Sequence, residues 1–296
     1  TEWQKALAAS LTIDCRRTHC TGCGICPTLG VDIIDYEAQE KGRAAEENPS
    51  EEDIVAPHVD TEKKSSQERT LTVYRGLITK GEELRYVSHL DYANLFVRAC
   101  KRAGLPMAYS EGFNPHMKVA FASALSLGAA SDAEYVDFEM TQTLPPNVVM
   151  QRLREHLPRG AEVVRLKILE GKHRALMADA DEARYRIAVS YTGEGEAVRE
   201  SVHRYNSAES AVWHRVTPKK SRAIETKEYV KTPVSIQLED GRLTFWMNIV
   251  VTPAGSVKPI EVLHVMVRDF GLPVDPNEAY VTRTGLFADG KALMDR

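Results

Sequence analysis

The sequence predicts an α+β fold in which two ferredoxin-like (split βαβ) units follow a cysteine-rich metal-binding segment. Four cysteines fall within twelve residues near the start of the chain. Between residues 71 and 170 the spacing of apolar residues predicts elements in the order strand, helix, strand, strand, helix, strand. Residues 171–296 show a weaker version of the same pattern. We therefore divide the chain into a Cys-rich segment (1–36), a flexible acidic linker (37–70), unit one (71–170) and unit two (171–296).

Composition places the chain among ordinary soluble proteins. Of its 296 residues 43% are hydrophobic and 27% are charged, and the sequence has neither a run of membrane-span length nor a signal peptide, so we expect a cytoplasmic protein. The net charge of -4 originates mainly between Glu37 and Arg69, where ten acidic residues face five basic ones; the chain from Thr70 onward carries +2. That balance permits a polyanionic partner without requiring one. Because the chain starts at Thr1 rather than methionine, we interpret it as a piece of a longer polypeptide whose remainder would hold a catalyst.

The cysteines follow the spacing C-x4-C-x2-C-x2-C. They are Cys15, Cys20, Cys23 and Cys26. Small intervening residues such as Gly22 and Gly24 let the backbone wrap one centre, which favours a four-thiolate iron-sulfur cluster, with zinc as the alternative. A disulfide knot is typical of secreted proteins, which nothing else in the sequence suggests. The spacing differs from the C-x3-C-x2-C of radical-SAM centres, so this site by itself cannot be one.

Residues 37–70 have few apolar side chains and cannot offset the entropy of ordering, which predicts a flexible linker. A surface helix from Tyr36 to Ala45 is the alternative.

Unit one begins with a strand from Leu71 to Leu77 and continues with a helix that Ser88 caps, Asp91 lying three residues later. The predicted buried stripe of this helix consists of Leu90, Ala93, Val97, Cys100 and Ala103. Cys100 on that stripe indicates a buried structural thiol rather than a nucleophile.

After the polar loop from Tyr109 to Lys118, the apolar run from Val119 to Leu127 predicts a strand. A second strand from Glu134 to Met140 alternates, with one face in the core and Tyr135, Asp137 and Glu139 in water. A helix opened by Pro145 and a strand from Val163 to Leu169 complete the unit. Two helices would then cover one face of the sheet and leave the other free for a partner.

Unit two repeats the order with weaker signals. The predicted elements are strands Tyr185–Val189 and Ala211–Val216, helix Glu194–Tyr205, a hairpin formed by Val234–Leu238 and Leu243–Val251, helix Pro259–Phe270 and strand Glu278–Thr284. The helix at 259–270 is expected to bury Ile260, Leu263, Val267 and Phe270. A basic stretch from Lys219 to Lys231 interrupts the pattern.

Several residues are candidates for binding or catalysis. His116 can act as a general base or contact a phosphate, or only hydrogen-bond the backbone, and His89 can help to seat an anion at a helix N-terminus or be merely solvated. An RNA-binding surface would combine cations with aromatic and polar loop residues, or the aromatics would instead anchor the core. Its members would be Arg85, His89, Arg102, Tyr109, Phe113, Asn114, His116 and Lys118, with Lys219, Lys220 and Arg222 as a second basic patch or a solvated surface.

The sequence also resembles a known family. The strings that carry the resemblance are Tyr86-Val87-Ser88-His89-Leu90-Asp91, Arg102-Ala103-Gly104-Leu105-Pro106, Tyr109-Ser110-Glu111-Gly112-Phe113-Asn114-Pro115-His116 and Glu134-Tyr135-Val136-Asp137. They are similar to the radical-SAM-linked domain of unknown function, whose members commonly have proline where this chain has Met117. Residues Trp3 to Ile25 are similar to the carboxyl end of the large radical-SAM proteins to which that domain is linked.

The resemblance implies a radical-SAM catalytic domain of the cobalamin type in cis or in trans, with S-adenosylmethionine and cobalamin bound only on that absent region. The genes of such domains tend to neighbour those of ribosomal proteins and of a ribosomal-RNA-processing ribonuclease, which implies RNA or the translation machinery as the target.

Three functions remain open from the sequence. The first is an RNA-binding or substrate-presenting module of a radical-SAM modifying enzyme. The second is a metal-independent endoribonuclease with His116 or His89 as the base. The third is a protein-protein adaptor. No Walker loop, nucleophile elbow or His-Glu-x-x-His helix occurs.

Overall fold

The computed structural model describes residues 71–171, 173–191, 193–217, 220–239, 241–252 and 255–296, which form a mixed α+β structure. The strands are β1 (Thr72–Lys80), β2 (Val119–Phe121), β3 (Ala129–Met140), β4 (Val163–Ile168), β5 (Glu182–Ser190), β6 (Val212–Thr217), β7 (Lys220–Glu225), β8 (Ser235–Glu239), β9 (Arg242–Val250), β10 (Tyr280–Ala288) and β11 (Lys291–Ala292). The helices are α1 (His89–Arg102), α2 (Pro146–His156), α3 (Leu176–Asp179), α4 (Gly195–Ser207), α5 (Thr226–Tyr229) and α6 (Pro259–Phe270). Short 3-10 helices occur at Glu82–Leu84, Pro276–Glu278 and Leu293–Asp295. None of these described helices is long and apolar enough to cross a membrane.

Strand, helix, strand, strand, helix, strand is the order in both halves of the described chain. The first half (residues 71–170) uses β1, α1, β2, β3, α2 and β4, and the second half (residues 171–296) uses β5, α4, β8, β9, α6 and β10. The sheet runs β4-β1-β3-β10-β5-β9-β8, with β2 beside β3 and β11 beside β10. A separate hairpin of β6 and β7 is inserted after α4.

All four long helices lie on one side of this sheet. The pairs β1–β3 and β5–β10 are antiparallel and β3–β10 is parallel, so β1 and β5 run in the same direction. Strand order and direction therefore repeat from one half to the next. Right-handed crossovers then place α1, α2, α4 and α6 on the same side, called here the helical face.

Helix α1 begins as predicted but buries a different stripe. The Ser88 hydroxyl accepts a hydrogen bond from the amide of Asp91 at 3.2 Å, which caps the helix. Cys100 and Ala103 of the predicted stripe are buried. In the earlier turns, however, Tyr92 and Phe96 are buried and Leu90 is 74% exposed, so the stripe is rotated there by part of a turn. The two rings at i and i+4 bury more apolar area than the smaller residues of the predicted stripe, and this decides which side faces the sheet.

The helical face of the first half packs around aromatic residues. Phe138 stacks on Tyr74 with ring centroids 5.4 Å apart and also contacts Phe96 of α1. Cys100 is buried as predicted, and burial raises the pKa of its thiol to about 12. The predicted strand from Val119 to Leu127 is much shorter, because β2 ends at Phe121 and the chain then turns toward the start of β3.

The second half has its own core between its sheet and helices α4 and α6. Strand β9 contributes Leu243, Phe245, Met247 and Ile249, all buried. Helix α6 buries Val262, Leu263, Val265 and Met266, whereas the predicted Ile260, Val267 and Phe270 are only partly buried at the edge of this core. The inward stripe of α6 is again displaced from the prediction, although the helix has the predicted bounds.

A short seam of parallel pairing joins the two halves. Residues 129–131 of β3 pair with residues 281–283 of β10. At this seam Glu134 and Arg283 form a fully buried ion pair, with Nε of Arg283 2.9 Å from Oε1 of Glu134. Burial alone would lower the pKa of Arg283, but the attraction of Glu134 raises it. Lys80 is buried beside them, and desolvation lowers its pKa.

The opposite face of the first half is covered, contrary to prediction. Tyr135 and Asp137 are buried rather than in water. Tyr135 belongs to a third apolar cluster that includes Leu176 of α3, Leu286 of β10 and Leu293. The connection between the halves and the last residues of the chain therefore pack where an open surface was expected.

In the second half the corresponding face is open. Residues that alternate with the core positions of β5 and β9 are exposed or half-buried, among them Arg186, Thr244, Trp246 and Asn248. None of these belongs to any apolar cluster of the described residues. The free sheet face that was predicted for unit one is therefore found in the second half of the described chain instead.

Candidate nucleic-acid interface

The loop from Tyr109 to Lys118 is a narrow, well-bonded hairpin. The amide of Ser110 donates to the carbonyl oxygen of His116 at 2.8 Å, and the amide of His116 donates to the hydroxyl of Ser110 at 3.0 Å. At the tip, Gly112 has φ +126°, a conformation that favours glycine, and Phe113 is fully exposed. This bonding fixes His116 at the base of the loop while its tip stands in solvent.

A cavity of about 510 Å³ lies between this loop, strands β1 and β3, and helix α3. Its polar lining consists of Ser110, His116, Lys118, Asp137, Glu139 and His173. A second cavity of about 420 Å³ adjoins the connection between the halves. Its polar lining consists of Arg75, Lys167, Glu170, His173, Arg174, Asp179 and Arg296. Because His173 lines both cavities, we treat them together as the His173 groove.

Ion pairs neutralise most carboxylates of the His173 groove. Arg75 holds Asp137 with two hydrogen bonds of 2.8 Å, and a third at 3.1 Å reaches the carbonyl oxygen of Leu293. Burial lowers the pKa of Arg75, but its bonds to Asp137 raise it by more. Lys118 contacts Glu139 at 2.8 Å. These pairs leave little unpaired negative charge along this part of the groove.

Asp179 is a buried carboxylate with incomplete bonding. Its Oδ1 lies 3.5 Å from Arg296 and 3.8 Å from Arg174, and it accepts no hydrogen bond from the described residues. The guanidinium of Arg174 is largely exposed. Nearby, burial and then repulsion from Arg75 lower the pKa of Lys167. This end of the groove is therefore the more basic one.

Two predicted binding residues lie elsewhere, near the seam. Arg85 lies between the rings of Tyr86 and Tyr280, with its guanidinium carbon 4.6 and 4.9 Å from their centroids. His89 meets the ring of Phe121 edge to face at 5.6 Å, and desolvation lowers its pKa. Neither residue lines the His173 groove, so the predicted set divides into separate groups.

The remaining predictions fall at other places. Arg102 donates to the carbonyl oxygen of His156 at 2.7 Å, on the helical face. Tyr109, Phe113 and Asn114 are exposed on the loop beside the groove. Lys220 and Arg222 lie in β7, whose partner strand β6 packs on α6 through Arg215 and Glu261. Hence the basic hairpin belongs to the helical side.

Some predictions lie outside the described residues. These are the linker, Lys219, and the four cysteines with their iron-sulfur or zinc centre. Within the described ranges, no group of three or more His, Cys, Asp or Glu is placed to hold a metal ion.

His173, Asp179 and Trp246 are not among the predicted site residues. His173 and Asp179 lie in a connection whose polarity suggested only a loop. The sequence does carry a signal for Trp246. It is a large aromatic residue on the otherwise polar face of an alternating strand, together with Arg242, Thr244 and Asn248.

Comparisons with known proteins give a family but no activity. No curated protein matches the chain. A chain from a Cbf5-Nop10-Gar1 complex is 9% identical, with 74% of this chain and 50% of that chain covered and a TM-score of 0.40, so the match spans half of that chain's length. An unknown protein from Galdieria sulphuraria is 10% identical, with 72% and 98% covered and a TM-score of 0.22. Such low similarity carries no argument about function. The family model described as "Uncharacterized protein conserved in bacteria (DUF2344)" matches residues 74–259, and the chain therefore belongs to that family.

Proposed function

We propose that residues 71–296 form an RNA-binding, substrate-presenting module, built from two ferredoxin-like units, that serves a radical-SAM enzyme of the cobalamin type. The observation that carries the RNA-binding part is the His173 groove. It consists of two cavities that share His173, and Lys118, Lys167 and Arg174 line it together with two histidines. The link to radical-SAM chemistry rests on the resemblance of the sequence strings.

The chemistry of the groove suits a phosphate backbone. Arg75 and Asp137 neutralise each other inside the protein. The cations that a phosphate can reach are Lys167 and Arg174 at one end and, at the other, Lys118, whose ion pair with Glu139 is partly exposed to solvent. Arg174 is held only loosely, 3.8 Å from Asp179, and can turn toward a phosphate without losing a hydrogen bond.

Binding of cellular RNA at several salt concentrations tests this proposal. We expect the affinity to fall with salt, because each phosphate contact releases counterions. The variant Lys118→Ala/Arg174→Ala should weaken binding and make the slope of log K against log[salt] shallower by about 1.4, since each contact to a single strand contributes about 0.7.

The charge-matched control is Arg98→Ala/Lys101→Ala on the exposed surface of α1. It should leave the slope unchanged. Absence of RNA binding by the unmodified chain would refute the proposal and favour the protein-protein adaptor.

A second candidate function is metal-independent RNA cleavage. His116 and His173 line one cavity with Lys118, which offers a base, an acid and a cation at one place. In such a reaction one imidazole takes the proton of a ribose 2′-hydroxyl, whose oxygen attacks the adjacent phosphorus. The other imidazole protonates the departing 5′-oxygen, leaving a 2′,3′-cyclic phosphate, while the ammonium stabilises the charge on phosphorus. His89 does not line this cavity and is the weaker candidate.

Incubation of RNA with the chain in excess chelator tests the cleavage. Cyclic phosphate ends should form and should be lost in both His116→Ala and His173→Ala. His89→Ala is the control and should cleave normally. If RNA is bound but stays intact in chelator, this candidate fails and the binding module stands.

The cofactor remains a separate part of the proposal. An iron-sulfur cluster on Cys15, Cys20, Cys23 and Cys26 is expected to give iron, sulfide and a broad visible absorption after anaerobic purification. Stoichiometric zinc without iron would instead indicate a fold-stabilising site and remove the support for an auxiliary cluster.

A further inference from the structure

The open sheet face of the second half has an exposed tryptophan near its centre. Phe245 and Met247 point into the core, so Trp246 between them points to the opposite face. The residue is 36% exposed, and no apolar cluster of the described residues includes it. Because about a third of this large residue stays in water after folding, a ligand that covers it would bury further apolar surface.

The neighbours of Trp246 are polar and lie at fixed positions on three strands. Arg186 of β5 and Ser235 of β8 are its direct cross-strand partners. Thr244 and Asn248 lie two residues away along β9 and share its face. We call these five residues the Trp246 face.

The hydrogen-bonding capacity of the Trp246 face is unused within the described structure. The side chains of Ser235, Thr244 and Asn248 make no hydrogen bond to described residues. Arg186 is half exposed, and its contact with Asp132 at 3.8 Å is too long for a hydrogen bond. By contrast, Arg184, two residues before Arg186 on the same strand, donates a hydrogen bond to Glu182 at 2.7 Å and lies over the ring of Phe287.

We propose that the Trp246 face binds unpaired bases of single-stranded RNA, an inference that rests on the proposed RNA-binding function. An indole and a planar guanidinium side by side offer two stacking surfaces, and the surrounding amide and hydroxyls can pair with base edges. Bases within a duplex have their flat faces covered, so only unpaired bases fit this surface. The sheet holds these groups rigidly, which reduces the ordering cost on binding.

The charges of this face indicate that stacking supplies the affinity. Three arginines lie on this side of the second half's sheet, and each has an acidic neighbour: Arg184 has Glu182, Arg186 has Asp132, and Arg242 has Glu239. A face with so little net charge gains little from counterion release. The contribution of Trp246 should therefore be nearly independent of salt, in contrast to that of the His173 groove.

The test measures binding of a single-stranded and a duplex RNA oligonucleotide to the full chain and to Trp246→Thr, which keeps strand propensity. We expect Trp246→Thr to bind the single strand about tenfold or more weakly, with an unchanged salt slope and unchanged duplex binding. Trp246→Phe should recover most of the affinity. Arg186→Gln should lower the affinity for the single strand and leave the salt slope nearly unchanged, because its guanidinium is assigned to stacking on a base.

Trp213→Phe is the matched control, because Trp213 stacks on His264 on the helical side. It should bind like the unmodified chain. As a readout that needs no variant, photocrosslinking to RNA containing 4-thiouridine should attach the label to the peptide with Trp246.

Three results would overturn the inference. In the first, RNA binds but Trp246→Thr binds it equally well. In the second, single strand and duplex lose affinity alike. In the third, crosslinks form only at the His173 groove. In these cases the RNA-binding function stands, whereas a chain that binds no RNA at all removes both proposals.

Discussion

The two halves of the described chain share one order of strands and helices and differ in what happens on the side away from the helices. In the first half Tyr135 and Asp137 are buried beneath α3 and the 3-10 helix at Leu293–Asp295. In the second half Trp246 remains partly exposed on an open surface. The comparison teaches that alternation along a strand predicts which side chains share a face, but segments distant in sequence decide whether that face meets water.

The pair at the seam should give the largest effect, because both halves depend on it. Glu134→Ala leaves Arg283 as an uncompensated buried charge, which costs about 3–5 kcal/mol of unfolding free energy. Denaturant unfolding measures the loss. The double variant Glu134→Leu/Arg283→Met should recover most of it, because well-packed apolar residues can replace a buried pair. Separate unfolding of the two halves in the unmodified chain would contradict a shared seam.

The difference between the two sheet faces predicts unequal costs for removing an aromatic side chain. Tyr135→Ala should lower the unfolding free energy by about 3 kcal/mol, because it leaves a cavity beneath a covered face. Trp246→Ala should cost less, about 1–2 kcal/mol, because about a third of that residue is already exposed to water. Thermal melting of both variants measures the contrast. Equal losses would mean that the second face is covered as well.

His89 should make the stability of the first half depend on pH. Desolvation lowers its pKa in the folded state below the unfolded value of about 6.5. Between these two values the unfolded chain binds more protons, so stability decreases as the pH falls below about 6.5. In His89→Gln this part of the pH dependence should vanish. Urea unfolding at pH 5 and pH 7.5 provides the measurement, and an identical pH dependence in the variant would contradict it.

The rotated stripe of α1 predicts the smallest effect. Leu90→Gln should change the unfolding free energy by less than about 0.5 kcal/mol, because Leu90 is exposed. Phe96→Ala on the buried stripe is the comparison and should cost about 3–5 kcal/mol. A large loss of unfolding free energy in Leu90→Gln would instead support the buried stripe that the sequence predicted.

Local signals predicted the order of elements and the cap of α1, because a Ser hydroxyl at an N-cap and Gly or Pro at element ends act over a few residues. They misplaced the stripe of α1, since periodicity alone does not weigh Tyr92 and Phe96 against smaller residues. The site needed contacts between distant segments: His116 and His173 meet in one cavity only because the connection between the halves folds back over β1 and β3.

The seam has a consequence for how the chain is made. Residues 129–131 of β3 pair with residues 281–283, which are synthesised about 150 positions later. Until then, this part of β3 lacks its β10 partner. On a ribosome the earlier strand emerges long before the later one, so its backbone amides and carbonyls stay available to neighbouring nascent chains. Slow, chaperone-dependent maturation is the expected outcome, and release of a chain stopped before β10 should yield aggregates rather than an independent N-terminal fold.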